Sequence, residues 1–206
     1  MNKIIAISRE FGSGGKEIGK RLSDILGFSY YDTEIISELA KETGMSEKYI
    51  KDISDTGIYP CAFQFGRSFT MYPAIQREQT NILVKQQEII KKIAQKGNSI
   101  IVGRGADVIL KDYNLIKIFV YSSMESRINR CKEHKRENEN YSDKEYENKI
   151  KEIDKGRKRY YELISDLKWG EKENYNICIN TTGIEVKNII TGLAEYINNW
   201  FGGIAE

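Results

Sequence analysis

Short apolar runs alternate along most of the chain with longer stretches of mixed polarity. Five of the runs are short and apolar enough for buried strands, at residues 3–8, 28–31, 99–102, 115–120 and 175–179. The stretches between them repeat apolar residues at helical spacing, beginning with Ile18, Leu22, Ile25 and Leu26. Each crossover between parallel strands needs a helix to return the chain. The pattern therefore predicts a three-layer α/β/α fold with a five-stranded parallel sheet.

Two parts of the chain depart from this alternation. Residues 44–75 hold Gly57, Pro60 and Gly66 among many aromatic side chains, which predicts a partly helical insertion. Residues 131–160 are rich in charge and poor in apolar residues, which predicts a solvated helical lid. No internal repeat or linker divides the sequence, so we expect a single domain over residues 1–206.

Composition and charge limit the kinds of binding partner and cellular compartment that fit the sequence. The formal net charge of +2 results from 32 basic and 30 acidic residues, which argues against a nucleic-acid-binding surface. The chain has no apolar run of the length that a membrane helix or a signal peptide needs. Its cysteines, Cys61, Cys131 and Cys178, are widely spaced and odd in number, as is typical of thiols in a reducing compartment. We therefore expect a cytoplasmic protein, and its oligomeric state is left open.

A glycine cluster follows the first predicted strand and precedes the first predicted helix. Glycines allow positive φ angles that turn several backbone N–H groups toward one point, and the helix adds its N-terminal dipole. A lysine directly after the glycines supplies a mobile cation. The segment Gly12, Ser13, Gly14, Gly15 and Lys16 thus predicts a phosphate-binding loop, with an ordinary glycine-rich turn as the alternative.

The residue after the lysine departs from the usual phosphate loop. A serine or threonine hydroxyl that contacts magnesium is expected there, and this chain has Glu17. A carboxylate could bind the metal itself, because Mg²⁺ prefers oxygen ligands. Alternatively, Glu17 caps the first helical turn or pairs with Lys20 or Arg21.

Several motifs occur in the same order as in the cytidylate kinase-like family, which the chain resembles over nearly its whole length. They lie at residues 7–19, 31–33, 101–104, 117–130, 154–157 and 180–183. The resemblance implies a P-loop NTPase core with a monophosphate-binding insertion and a helical lid. It also implies transfer of the γ-phosphoryl group of ATP to a nucleoside monophosphate, of cytidylate type, with Mg²⁺ as cofactor.

The resemblance further implies roles for residues on the donor side. The segment from Gly12 to Glu17 would bind ATP, with Lys16 on the β- and γ-phosphates. Arg127, Arg130 and Arg157 would close over the transferring group from the lid, where positioning and charge neutralisation supply most of the catalysis. The alternatives are a solvated helix face for Arg127 and Arg130, and a helical ion pair with Asp154 for Arg157.

On the acceptor side the resemblance implies a role for Arg104, and Asp32 and Arg67 are further candidate substrate-binding residues. Arg104 directly follows a predicted buried strand, whereas Arg67 lies in an aromatic cluster that suits either packing or base stacking. True cytidylate kinases have an aspartate where this chain has Val102. The other functions considered are a regulatory nucleotide-binding module with little or no transfer, and a kinase of another small acceptor.

Overall fold

The chain is built around a parallel β-sheet, as shown by a computed structural model that describes residues 2–48, 50, 72–135 and 141–203. Within these residues the spatial order of the strands is β2-β3-β1-β4-β5, and every neighbouring pair is parallel. The strands are β1 Ile4–Arg9, β2 Ser29–Tyr31, β3 Ser99–Val102, β4 Leu115–Tyr121 and β5 Ile177–Asn180. The predicted five-stranded parallel sheet is confirmed.

Helices connect the strands and cover the sheet. Their bounds are α1 Gly15–Leu26, α2 Glu34–Thr43, α3 Tyr72–Lys96, α4 Ala106–Ile109, α5 Met124–Glu133, α6 Asp143–Ile164 and α7 Ile190–Gly203. Short 3₁₀ turns form at Lys172–Asn174 and Val186–Asn188. No helix of the described chain has the length and apolar character needed to cross a membrane.

The two faces of the sheet hold separate apolar clusters. Ile5 and Ile7 of β1 pack with α1 and α7, whereas Ile4 and Ala6, which point to the opposite face, pack with α2 and α3. All four β1 residues are at most 1% exposed, as expected for a central strand covered by helices on both sides. The predicted three-layer α/β/α arrangement is confirmed.

Strand register brings two glycine-containing turns to one edge of the sheet. The last residue pair between β1 and β3 is Ile7 with Val102, and the N–H of Gly103 donates to the Ile7 carbonyl at 2.9 Å. The turn after β3 therefore lies beside the loop after β1. Ligands of open parallel sheets bind at this carboxyl edge.

Some boundaries differ from those that the sequence predicts. The last strand begins at Ile177 and not at Tyr175, because the Tyr175 N–H closes the preceding 3₁₀ turn by donating to the Lys172 carbonyl. The closing helix begins at Ile190 and not at residue 184, because the intervening residues form a 3₁₀ turn that buries Val186 in the core.

In the described residues, the predicted lid at 131–160 covers the end of α5 and most of α6. A capping box opens α6, in which the Ser142 hydroxyl accepts from the Glu145 N–H and the Glu145 carboxylate accepts from the Ser142 N–H. Ile128, Tyr146 and Ile150 are buried between the two helices, so this region is not solvated throughout as its composition predicts. Most of the predicted insertion at 44–75 lies outside the described residues.

Candidate active site

The loop between β1 and α1 has the backbone conformation of an anion cradle. Gly12 and Gly14 have φ angles of 78° and 83°, in the left-handed region that glycine adopts without strain. Gly14 is the N-cap of α1, and no side chain caps the helix there. The first-turn N–H groups of α1 and its dipole therefore face the loop, which suits a phosphate group.

Ser13 fixes the shape of this loop from inside. Its side chain is fully buried, and its hydroxyl donates to the Glu10 carbonyl at 2.8 Å. The Thr181 hydroxyl, at the end of β5, donates to the Ser13 carbonyl at 2.8 Å. These contacts hold the loop between the ends of β1 and β5.

Lys16 stands at the start of α1 and pairs with an aspartate from the end of β2. Its Nζ lies 2.9 Å from Asp32 Oδ2, and Arg9 Nη2 lies 3.5 Å from Asp32 Oδ1. The Asp32 side chain is only 8% exposed, whereas that of Lys16 is 64% exposed. Asp32 thus holds two cations at the carboxyl edge, and the ammonium group of Lys16 remains accessible to a ligand.

Glu17 makes one of the contacts that the sequence analysis left open. Its Oε1 accepts from Arg21 Nε at 2.7 Å on the exposed face of α1. Among the described residues, no group of three or more His, Cys, Asp and Glu side chains is arranged to hold a metal ion. The helical ion pair with Arg21 is therefore formed, and the metal role of Glu17 stays a prediction.

Arg127 is a buried cation that binds the backbone of the phosphate loop. It is 5% exposed, its Nε donates to the Phe11 carbonyl at 2.7 Å, and its Nη1 lies 3.2 Å from Glu10 Oε2. Its Nη2 also donates to Asp154 of α6, whose other carboxylate oxygen accepts from the Phe11 N–H at 2.8 Å. Burial raises the pKa of Asp154, and the charge of Arg127 opposes that shift. We call Glu10, Arg127 and Asp154 the loop clamp.

Arg130 lies on the outer side of the phosphate loop. Its Nη1 donates to the Gly12 carbonyl at 3.0 Å, and its Nη2 donates to the Ile184 carbonyl at 3.4 Å. The guanidinium group therefore bridges the loop and the turn after β5. Neither Arg127 nor Arg130 forms the solvated helix face considered from the sequence.

A small cavity with three arginines in its wall opens beside the phosphate loop. We call it the arginine cavity. Its volume is about 40 Å³, and among the described residues its wall includes Arg9, Arg104 and Arg157 and no acidic residue. Arg157 Nη1 donates to the Arg9 carbonyl at 2.9 Å, and its guanidinium lies over the Phe11 ring. Gly103 has a φ of 77°, which favours glycine, and a Cβ at this position would displace the Arg9 guanidinium. The cavity suits a compact anion.

A buried carboxyl group lies behind this cavity. Asp107 is 3% exposed, and its Oδ1 accepts from the hydroxyl of Ser8, which lines the cavity, at 3.3 Å. Burial raises the pKa of Asp107, while hydrogen bonding by the Tyr161 and Ser8 hydroxyls opposes part of that shift. Burial also raises the pKa of nearby Tyr175 to about 12. These groups form a buried polar wall behind the arginines.

The structure assembles residues that the sequence analysis did not single out. Arg9 is the last residue of β1, and Glu10 is the first residue of the loop. Two charged residues directly after a buried apolar run were the sequence signal that could have marked them as site residues. Asp154 was considered only as an ion-pair partner of Arg157, from which its Oδ1 lies 3.7 Å. Arg67, a candidate substrate-binding residue in the aromatic cluster, lies outside the described residues.

This geometry defines the class of the protein. A glycine loop follows the first strand of a parallel sheet, a lysine begins the next helix, and lid arginines reach the same edge, which together characterise a P-loop kinase. The chain matches the sequence profile of the cytidylate kinase-like family over residues 4–183. It belongs to this family, and the resemblance inferred from its motifs is confirmed.

Solved structures share the fold. An uncharacterized protein from Eubacterium ventriosum ATCC 27560 is 28% identical, with a TM-score of 0.70 over 95% of this chain and 98% of that chain. Shikimate kinase from Bacteroides thetaiotaomicron is 13% identical, with a TM-score of 0.58 over 96% of this chain and 99% of that chain. A gluconokinase from Sinorhizobium meliloti 1021 is 12% identical, with a TM-score of 0.54 over 99% of this chain and 98% of that chain. No curated protein matches the chain.

Proposed function

We propose that this kinase transfers the γ-phosphoryl group of ATP to a nucleoside monophosphate, of the cytidylate type that its family suggests. The observation that carries the proposal is the convergence of Arg9, Arg104 and Arg157 on one cavity beside the phosphate loop. A phosphate monoester has close to two negative charges at neutral pH and several strong acceptor oxygens. Guanidinium groups match such an anion in charge and geometry.

On the donor side, the loop around Gly12 and Gly14 would hold the triphosphate of ATP, with the ammonium group of Lys16 on its terminal phosphates. Magnesium would neutralise charge on the bound triphosphate. Mg²⁺ is usually held by one or two carboxylates together with substrate phosphates. Asp32, in contact with Lys16, supplies a suitably placed carboxylate.

Transfer would proceed from the loop toward the arginine cavity. A phosphate oxygen of the acceptor forms a bond to the γ-phosphorus, and the bond from that phosphorus to the bridging oxygen breaks, so that ADP leaves with the electron pair. Arg157 would neutralise the charge between the two sites, because it lines the cavity and also contacts the loop backbone at Arg9. No protein nucleophile is needed for this step.

A hydroxy acid is the second candidate acceptor. The described cavity suits an anionic group and does not distinguish a nucleobase. Because arginines bind carboxylates as well as phosphates, a carboxylate could take the same place. Shikimate and gluconate are suitable probes, because they are the substrates named for two proteins with the same fold. A regulatory module without transfer would bind ATP and fail with every acceptor.

The test is a coupled ADP-release assay with Mg-ATP and a panel of ribo- and deoxyribonucleoside monophosphates, shikimate and gluconate. We expect turnover with a pyrimidine monophosphate. Replacing Arg104 with alanine should raise the KM for the acceptor roughly 10- to 100-fold, which corresponds to the loss of a charged hydrogen bond. Turnover only with a hydroxy acid, or with no member of the panel, would contradict the proposal.

Arg157→Ala should lower kcat by roughly 10² to 10³ and change ATP affinity much less, by analogy with removal of a single positioned charge donor. The matched control is Arg159→Ala, which removes an exposed arginine two residues further along the same helix. Equal losses of kcat from the two substitutions would mean that the net charge of the helix, and not a specific contact of Arg157, determines the rate.

A further inference from the structure

Arg104 has a strained backbone. Its φ angle is 62°, and Arg104 is the one non-glycine residue of the described chain with a positive φ. Its neighbours Gly103 and Gly105 have φ angles of 77° and 64°. Three consecutive residues thus turn in the left-handed region directly after β3. The glycines adopt it freely, whereas an arginine holds it only where its surroundings fix the backbone.

Two buried side chains supply that constraint. The Tyr160 hydroxyl of α6 donates to the Arg104 carbonyl at 3.2 Å, and Gln86 Nε2 of α3 donates to the same carbonyl at 3.4 Å. Gln86 also donates to the Tyr160 hydroxyl, so the three groups form a closed set of hydrogen bonds. Both side chains are buried, with exposures of 2% for Gln86 and 8% for Tyr160.

The position of Gln86 on its helix shows that this polar group is not needed for packing. Ile82, Ile89 and Ile90 occupy the same buried stripe of α3, at spacings of three and four residues from Gln86. An isoleucine or leucine would continue the stripe. A buried amide costs free energy unless it is hydrogen-bonded, and the partners described for Gln86 are Arg104 and Tyr160.

We propose that Tyr160 and Gln86 are positioning residues that hold the left-handed backbone of Arg104 and thereby set its side chain in the arginine cavity. This inference rests on the proposed function, in which Arg104 binds the anionic group of the acceptor. Neither residue needs to touch substrate through its polar atoms to act in this way. Their loss should therefore weaken acceptor binding and leave ATP binding at the separate phosphate loop unchanged.

The test uses Tyr160→Phe and Gln86→Leu, which remove the donors and keep most of the buried volume. Inorganic phosphate is the probe, and the fluorescence of Trp169, which lines the cavity, reports its binding. A Trp200→Phe background removes the other tryptophan of the chain. We expect each variant to raise the Kd for phosphate about 3- to 10-fold, as for a lost neutral hydrogen bond, with the KM for ATP unchanged.

The matched control and the double variant separate positioning from stability. Tyr146→Phe removes another buried hydroxyl of α6, for which no hydrogen-bond partner is described, and should leave the Kd for phosphate unaltered. In an Arg104→Ala background, Tyr160→Phe should have no further effect, because the positioned side chain is already absent.

The outcomes separate the positioning role of Tyr160 and Gln86 from the proposed nucleoside monophosphate acceptor. An unchanged Kd in Tyr160→Phe and Gln86→Leu, or an additive effect in the Arg104→Ala background, overturns the positioning role. A parent protein that does not bind phosphate overturns the anion site and the positioning role together. Phosphate binding that responds as expected, in a protein that phosphorylates no monophosphate, supports the positioning role and refutes the proposed acceptor.

Discussion

Replacing Arg127 with methionine tests the loop clamp most directly. The substitution keeps an unbranched side chain of similar length in a site that is 5% exposed and removes the guanidinium. The carboxylates of Glu10 and Asp154 then lose a cation, and the Phe11 carbonyl loses a donor. We expect a large loss of stability, because an uncompensated charge is left in a partly buried site.

The magnitude follows from the contacts that remain. Removing one partner of a buried ion pair typically costs about 3 to 5 kcal/mol. Asp154 keeps the Phe11 N–H at 2.8 Å and the Arg157 guanidinium at 3.7 Å, so we expect the lower end, about 3 kcal/mol. At about 2 to 4 °C per kcal/mol for a chain of this size, the melting temperature should fall by about 6 to 12 °C.

The assay is thermal and urea unfolding of the parent and the variant, with Arg21→Met as the matched control. Arg21 pairs with Glu17 on the surface, where both side chains are more than a third exposed, so its loss should cost less than about 1 kcal/mol. Adding Asp154→Asn to Arg127→Met should recover part of the loss, because the stranded carboxylate is then neutral. If Arg127→Met is as mild as the surface control, the clamp does not stabilise the loop.

A pH series adds an independent check on the same variant. Burial raises the pKa of Asp154, and without Arg127 this pKa should rise further. A carboxyl group that holds its proton more tightly in the folded state loses stability as the pH rises above its unfolded pKa of about 4. The deficit of Arg127→Met relative to the parent should therefore shrink as the pH falls from 7 toward 4. A deficit that grows over this interval would contradict the assignment.

Further predictions concern single side chains. Lys16→Ala should abolish most of the thermal stabilisation by ATP, because its exposed ammonium group is accessible to a phosphate; a shift equal to that of the parent would refute the cradle. Glu17→Gln should cost a few tenths of a kcal/mol and leave the magnesium midpoint of activity unchanged, because Glu17 pairs with Arg21; a raised midpoint would restore its metal role. Burial raises the pKa of Asp107, so Asp107→Asn should remove a loss of stability that the parent shows as the pH rises above about 4; parallel pH profiles in urea unfolding would contradict this.

The sheet and the phosphate loop could be predicted because their signals are local. After Ser99 the run to Val102 is wholly apolar, and the strand that these four residues form is buried at every position. Gly12 and Gly14 were expected to need positive φ angles, and they have them. In each case neighbouring residues determine the conformation, so the sequence pattern is sufficient.

The loop clamp could not be predicted in the same way. Arg127 acquires its environment from Glu10 and Asp154, and its contact with Phe11 spans 116 positions of the chain. Its helix is strongly charged, so local composition favoured a solvated face, whereas the resemblance implied a role on the transferring phosphate. Burial of a charge depends on tertiary pairing, which the spacing along one helix does not encode.

One face of α6 connects these observations. Asp154, Arg157 and Tyr160 follow one another at three-residue spacing, so they lie on one side of the helix and span about 9 Å of its axis. The first two bind the backbone of residues 9–11, and the third binds the carbonyl of Arg104. One helix thus contacts both the end of β1 and the turn after β3. In the reaction that we propose, this helix would set the distance between the ATP-binding loop and the acceptor.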